Sequence, residues 1–204
     1  MAFHGLLVSS GFSALAIREQ VACLARDRSY VSAHIITTAR PEKEHAPWNV
    51  VTKGQLEEMG MTVSFIDFDV GESLADDVDL VYVCGGNTFH LLHSIQCSSA
   101  PIRQQIVALC DRGGLYIGSS AGAVLVSPTI ASAGEVHPDK NKDGVVDLTG
   151  LHFIEQHVVP HYVPSLDGEI IAFREKYSLR EDEVLLLRDG EGLYVHDAVQ
   201  EIVV

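Results

Sequence analysis

Short apolar runs alternate with segments of helical period along almost the whole chain. Apolar runs of four to eight residues are typical of strands, whereas apolar positions three and four residues apart are typical of helices. This alternation predicts an α/β fold, with a mostly parallel sheet covered by helices on both faces. Strands are predicted at residues 4–8, 31–37, 62–68, 79–84, 115–117, 153–159, 184–188 and 192–196.

Helical periods fall between the predicted strands, at residues 13–25, 53–59, 88–95, 101–111 and 168–177. Towards the end of the chain, apolar runs flank Asp189-Gly190, which predicts an antiparallel hairpin on the edge of the sheet. We see no repeat and no low-complexity linker in the sequence. We therefore expect a single doubly wound domain over residues 1–204, a three-layer α/β/α sandwich.

The composition is that of a soluble globular enzyme, with 47% hydrophobic and 21% charged residues among 204. No apolar stretch is long enough to span a membrane, and the beginning of the sequence lacks the basic region of a signal peptide, so we expect a cytoplasmic protein. A formal net charge of −14 argues against nucleic-acid binding. The four cysteines are widely spaced, which predicts neither a zinc site nor a disulfide framework.

The most informative segment is Gly118-Ser119-Ser120-Ala121-Gly122, which follows a predicted strand. A Gly-x-Ser-x-Gly sequence after a strand is typical of a sharp strand-to-helix turn that exposes a nucleophilic serine. The small flanking residues leave room for the turning backbone. We predict Ser120 as the nucleophile and the Ala121 amide as a donor to an oxyanion.

A second glycine-rich loop, Gly85-Gly86-Asn87, follows the fourth predicted strand. Loops at the carboxyl ends of neighbouring parallel strands share one crevice, so this loop is expected to face the Ser120 turn. We predict Gly86 as the second oxyanion donor, and Asn87 both as the N-cap of the next helix and as a substrate contact.

A nucleophilic serine needs a base, and His161 is the best candidate because it ends a strand-like run and follows a proline. The carboxylate that would orient its imidazole is less well defined. In α/β hydrolases the acid lies between the nucleophile and the histidine in the chain. Glu135, Asp139, Asp143 and Asp147 all meet that condition and are the candidates.

Three blocks of sequence resemble peptidase E, the aspartyl dipeptidase family that is related to cyanophycinase and has a class I glutamine amidotransferase-like fold. They are GGNTFHLL at 85–92, YIGSSAGAVLVSPTI at 116–130 and VPHY at 159–162, and the resemblance extends over nearly the whole chain. It implies a peptidase that removes N-terminal aspartate from dipeptides or short peptides without a metal or cofactor. Carried over by position, the family's roles fall on Ser120 and His161, on an oxyanion hole of Gly85-Gly86 with Ala121, and on Glu135, which stands where many members have aspartate.

A strongly acidic protein that binds an acidic residue needs local positive charge at the site. Arg174, on the helix predicted after His161, is the candidate clamp for the substrate carboxylate, because a guanidinium binds a carboxylate through two parallel hydrogen bonds. The expected partner is a small peptide with N-terminal aspartate, bound by a monomer or a homodimer.

Alternatives remain open at this point. A cyanophycinase-like hydrolase of β-aspartyl-arginine bonds would share the same catalytic group, and a non-catalytic binding module of amidotransferase-like fold would keep the turn without its chemistry. Residues 139–147 also match the first nine positions of an EF-hand calcium loop, but the twelfth position is Gly150 instead of glutamate. A solvated acidic turn is therefore the preferred interpretation of that segment.

Overall fold

The computed structural model describes residues 3–196 and 199–204 of the chain. Within these residues, a seven-stranded sheet and a two-stranded sheet form the β-structure. The strands are β1 His4–Val8, β2 Ser32–Ile36, β3 Thr62–Ile66, β4 Leu80–Val83, β5 Leu115–Ser119, β6 His157–Val159, β7 Val184–Leu186, β8 Gly192–His196 and β9 Val199–Val203.

Helices flank the large sheet and join most of its strands. They are α1 Leu15–Arg28, α2 Pro47–Glu58, α3 Thr88–Cys97, α4 Ile102–Asp111, α5 Ala121–Val124, α6 Ser132–Glu135 and α7 Asp167–Tyr177. Pro47 takes the first position of α2, where its missing N–H costs nothing. The predicted helices are all present; three of their boundaries coincide with the observed ones, and the others differ by one to six residues.

The strand order of the large sheet is β3-β2-β4-β5-β1-β8-β9. The first five strands are parallel, and β8 and β9 extend the sheet in antiparallel fashion. The predicted α/β fold with a mostly parallel sheet is confirmed. Because β4, β5 and β1 are neighbours, the loops that follow them meet at the same edge of the sheet.

The hairpin predicted around Asp189-Gly190 is wrong. β7 pairs with β6 in the small parallel sheet, while β8 lies antiparallel to β1 and pairs with β9 on its other side. Residues 184–188 therefore belong to a different sheet from residues 192–196, and Asp189-Gly190 connects the two sheets.

The central strands are buried along their whole length. β1, β4 and β5 have no exposed residue, as expected for strands covered on both faces. A smaller core cluster, which includes Val159, Ile170 and Phe173, lies beside the main one where β6 packs near α6 and α7. Among the described residues, no helix combines the length and apolar character that crossing a bilayer requires.

The turn between β5 and α5 is packed without spare room. A Cβ atom on Gly118 would lie 2.4 Å from the carbonyl oxygen of Gly122, and a Cβ atom on Gly122 would lie 2.4 Å from the carbonyl oxygen of Val83. The buried Tyr116 hydroxyl donates to the Gly122 carbonyl oxygen at 2.7 Å. The two glycines thus allow α5 to lie directly against β4 and β5.

We expect Gly122→Ala to lower the free energy of unfolding by about 1–3 kcal/mol, because the new methyl group meets backbone atoms that cannot move independently. The matched control is Gly54→Ala in α2, where nothing lies within 4 Å of the place that the added methyl group would take. This control should raise stability by about 0.5–1 kcal/mol. Urea unfolding of both variants provides the measurement, and equal stabilities would contradict the packing argument.

Candidate active site

Ser120 lies at the point where β5 turns into α5. Its backbone has φ 50° and ψ −107°, a conformation that costs a non-glycine residue about 1–3 kcal/mol. The Ser120 amide donates to the Val8 carbonyl oxygen at 2.9 Å, and its carbonyl oxygen accepts from the amides of Ala123 and Val124. These bonds hold the residue in the strained conformation, which is the one expected for an exposed nucleophile on such a turn.

His161 lies directly beside this serine. Its Nε2 is 2.9 Å from the Ser120 Oγ, close enough to accept the hydroxyl proton. The histidine follows β6 and Pro160 and has a left-handed backbone, with φ 53°. Its amide donates to the Ser9 Oγ at 2.7 Å. The structure therefore brings together the two residues predicted as nucleophile and base.

The carboxylate at the other side of the imidazole is Asp189. Its Oδ1 lies 2.6 Å from the His161 Nδ1, and it also accepts a hydrogen bond from the Ser9 hydroxyl at 2.9 Å. An ionised carboxylate can only accept, so Nδ1 carries the proton and Nε2 is free to accept from Ser120. Ser120, His161 and Asp189 thus form a continuous hydrogen-bonded chain.

The end of β1 holds Asp189 in place. The Ser9 amide donates to the Glu191 carbonyl oxygen at 3.1 Å, and the Gly190 amide donates to the Ser10 Oγ at 3.0 Å. Ser9 is fully buried. Two serines that follow the first strand therefore fix a loop that lies about 180 residues later in the chain.

Glu135, predicted as the acid, is not at the imidazole. It is the last residue of α6, and its Oε1 accepts from the Lys176 Nζ at 2.6 Å and from the Tyr177 hydroxyl at 3.5 Å. The short α6 packs on α7, so the Glu135 side chain pairs with the cation on that helix. Because Glu135 is held in this way, its prediction as the acid is wrong. The carboxylate at His161 comes instead from the loop after β7.

Asp189 was not among the candidates predicted from the sequence, because the assumed chain order was serine, acid, histidine and this aspartate follows the histidine. Its position at the end of a strand-like run was a usable signal, since side chains at such ends gather around the crevice. Ser9 follows the first predicted strand and offered the same signal. Neither residue belongs to a recognisable motif.

The predicted oxyanion donors share a cavity with the serine. Gly86 and Ala121 line one cavity together with Ser120 and His161, and Ala121 is the first residue of α5. Gly86 has φ 151°, and a Cβ atom there would lie 2.2 Å from the Ala39 carbonyl oxygen. Only glycine fits this position, because the loop after β4 packs directly on the loop after β2.

The two residues predicted to contact the substrate, Asn87 and Arg174, have other surroundings in the structure. Asn87 is the N-cap of α3, as predicted: its Oδ1 accepts from the His90 amide, and its Nδ2 donates to the Lys140 carbonyl oxygen, both at 2.9 Å. Both ends of this amide are thus engaged. Arg174 lies on α7, outside the linings of the two cavities at Ser120, and its buried Nε has no partner among the described residues.

Those two cavities meet at Ser120, and Arg40, Ser120 and His161 contribute to both. The larger has a volume of about 580 Å³ and includes an apolar wall made of Phe12, Trp48, Val51 and Tyr82. The smaller has a volume of about 260 Å³ and contains the candidate oxyanion donors. Clefts of this size and mixed lining are typical of sites for small-molecule substrates.

His137 also lines the smaller cavity, and its ring meets that of His161 edge-on with 6.2 Å between ring centroids. Burial lowers the pKa of His137, the carbonyl of Pro160 opposes this shift, and the neighbouring His161 adds to it. The imidazole is therefore neutral at pH 7.

The segment that resembled a calcium loop forms part of the wall near this cavity. Its side-chain oxygens face separate partners: Asp139 accepts from the Thr88 amide, Asn141 bonds to Val145, and Asp143 contacts His90. In the described part of the chain, no group of three or more His, Cys, Asp or Glu residues is arranged to hold a metal ion.

His90 links this segment to the rest of the molecule. Its Nδ1 lies 3.1 Å from Asp143, and its Nε2 lies 2.9 Å from Asp69, which also pairs with Lys43. Burial disfavours the protonated ring, but the hydrogen bonds and charges of the two aspartates outweigh it and raise the pKa of His90 above its ordinary value. Through these two contacts, His90 ties the segment to α3.

A serine on a strand-to-helix turn, bonded to a histidine that in turn contacts a carboxylate, is an arrangement typical of hydrolases. The comparisons are more specific. The model of peptidase family S51 matches residues 6–203, so the chain belongs to this family and is a peptidase by membership. The resemblance to peptidase E seen in the sequence is confirmed.

Individual relatives support this membership. An uncharacterized peptidase of Listeria innocua, Lin0382, is 31% identical over 173 residues, which cover 76% of this chain and 80% of that protein. Peptidase E of Escherichia coli is 34% identical over 119 residues, which cover 56% of this chain and 48% of that protein. A crystal structure described as a candidate peptidase E of Listeria monocytogenes has a TM-score of 0.74 at 24% identity, covers 99% of this chain and 98% of that one, and supports the fold.

We expect Asp189→Asn to slow labelling of Ser120 by a fluorophosphonate at least about a hundredfold, because the amide no longer holds the imidazole in the tautomer that accepts the serine proton. Glu135→Gln is the matched control and should react within about twofold of the unmodified chain. Labelling rates followed by intact-protein mass spectrometry provide the measurement. Slow labelling of the Glu135→Gln variant together with fast labelling of the Asp189→Asn variant would show that Glu135, and not Asp189, is the acid.

The raised pKa of His90 predicts a pH-dependent contribution to stability. A group with a raised pKa in the folded state stabilises fully below its unfolded pKa, near 6.5, and loses this effect as the pH rises through the folded value. The stability difference between the unmodified chain and His90→Gln should therefore be largest near pH 5.5 and shrink towards pH 8.5. Urea unfolding at both pH values measures it. His45→Gln, at a largely exposed site, is the control and should show no such trend.

Proposed function

We propose that this chain is a serine-type peptidase that removes aspartate from the amino terminus of dipeptides or short peptides. The observation that carries the proposal is the hydrogen-bonded chain of side chains: Ser120 Oγ to His161 Nε2 at 2.9 Å and His161 Nδ1 to Asp189 at 2.6 Å. Membership of a peptidase family supports the bond class. The aspartate preference is what the resemblance to the aspartyl dipeptidases implies.

In the proposed reaction, the Ser120 Oγ attacks the carbonyl carbon of the first residue while its proton moves to His161 Nε2. The carbonyl oxygen becomes an oxyanion that accepts from the Gly86 and Ala121 amides. His161 then gives its proton to the leaving amine, the peptide C–N bond breaks and an acyl-serine remains. Water, deprotonated by the same imidazole, releases the first residue and restores the serine.

Asp189 would stabilise the imidazolium that forms in both halves of this cycle, and it would keep the Nδ1 proton directed away from the serine. Ser9 has a supporting role in the proposal, because one hydroxyl bonds the Asp189 carboxylate and accepts from the His161 amide. It therefore fixes the distance between the acid and the base. A metal ion has no step in this sequence of events.

The test is a panel of substrates with a matched inactive variant. We expect Asp-Leu to be cleaved faster than Asn-Leu, Glu-Leu, β-Asp-Arg and N-acetylated Asp-Leu, with free leucine or arginine as the measured product. Ser120→Ala removes one oxygen from a turn that already favours small residues, so it should fold normally and lose at least about a hundredfold in kcat/KM. Preferential cleavage of β-Asp-Arg would instead indicate a cyanophycinase-like enzyme, and an unchanged Ser120→Ala variant would exclude this nucleophile.

A further inference from the structure

The larger cavity at Ser120 contains two arginines without an acidic partner. Arg40, in the loop after β2, and Arg18, on α1, both line it, and neither forms an ion pair within residues 3–196 and 199–204. Acidic residues outnumber basic ones two to one in this protein. Other cations do pair with carboxylates: Lys43, Lys53, Lys176, Arg180 and Arg188.

Arg40 is fixed in place by the oxyanion loop itself. Its Nε donates to the Gly85 carbonyl oxygen at 2.9 Å, and its Cγ would lie 2.9 Å from a Cβ atom on Gly86. The side chain is half-buried, and the N–H groups of both Nη atoms have no protein acceptor among the described residues. A guanidinium held at Nε with its Nη atoms free is arranged to bind a carboxylate.

The electrostatics of this cavity fit an anion. Asp189 is the one carboxylate that lines it among the described residues, and it is already bonded to His161 and Ser9. The buried Nε of Arg18 has no partner there either. Two arginines without acidic partners make this cleft locally positive within an acidic protein, and such a cleft favours an anionic ligand.

We propose that Arg40 binds a carboxylate of the substrate and determines the specificity of this site. The proposal deepens the peptidase function proposed above and rests on it. It moves the clamp from Arg174, on α7, to the loop after β2. A dipeptide such as Asp-Leu has two carboxylates, one on the aspartate side chain and one at its C-terminus, and both have the required chemistry.

The experiment separates these two sources with four peptides: Asp-Leu, Asn-Leu and the C-terminal amides of both. The ratio of kcat/KM for Asp over Asn reports on the side-chain carboxylate, and the ratio for free acid over amide reports on the terminal one. We expect Arg40→Gln to reduce one of these ratios at least about tenfold, and the ratio that falls identifies the carboxylate.

Two further variants are the controls. Arg180→Gln removes the same charge from an exposed position, and Arg174→Gln tests the helix assigned from sequence; both should keep each ratio within about twofold of the unmodified chain. An equal loss with all four peptides in Arg40→Gln would mean that this arginine only positions the Gly85-Gly86 loop, and would overturn the proposal. A fall in either ratio in Arg174→Gln, with Arg40→Gln unchanged, would overturn it as well.

A binding measurement keeps this proposal separate from the catalytic one. Calorimetric titration of the four peptides into the Ser120→Ala variant, with and without Arg40→Gln, measures carboxylate binding without turnover. Peptide binding that depends on Arg40 would support the carboxylate site. If Ser120 of the unmodified chain also fails to react with a fluorophosphonate, the peptidase mechanism is overturned while the carboxylate site stands. If Ser120 of the unmodified chain does react, but peptide binding is absent or does not depend on Arg40, the peptidase mechanism is supported and the carboxylate site at Arg40 is overturned.

Discussion

The strained backbone of Ser120 is the constraint on which the rest of the site depends. Contacts on both sides enforce it: Gly118 and Gly122 lie too close to neighbouring carbonyl groups to carry a side chain, and Val8 accepts the Ser120 amide. This turn places Ser120 where the two cavities meet and places Ala121, the next residue, in the lining of the smaller one. One local conformation therefore supplies both the attacking oxygen and half of the charge stabilisation that the proposed chemistry needs.

Much of this arrangement could be predicted from the sequence. Local signals were sufficient wherever a motif coincided with a strand end, as for Ser120 after β5 and for Asn87 at the start of α3. Two strands, residues 4–8 and 192–196, were predicted with the observed boundaries. The fold class followed from the alternation of periods, because a parallel sheet must be covered on both faces.

What could not be predicted depends on contacts between distant segments. Asp189 follows a strand-like run and Glu135 does not, but that signal alone does not show which carboxylate lies at His161 and which pairs with Lys176. Which carboxylate reaches His161 depends on the pairing of β7 with β6 instead of β8. Such strand pairing is a tertiary property that the local sequence does not determine. Arg40 escaped sequence reasoning for the same reason, because the loop after β2 meets the loop after β4 only in the folded sheet.

The bond between the Ser9 hydroxyl and Asp189 has a consequence for the order in which the chain becomes competent. A ribosome synthesises the strand end that carries Ser9 well before Asp189, which lies 180 residues later, and a domain generally folds as a unit. A nascent chain that already contains the serine and the histidine still lacks the carboxylate that orients the imidazole. Insertion of β1 between β5 and β8 also requires the late segment. In the proposed mechanism, nucleophilic reactivity of Ser120 therefore requires that translation has passed Asp189.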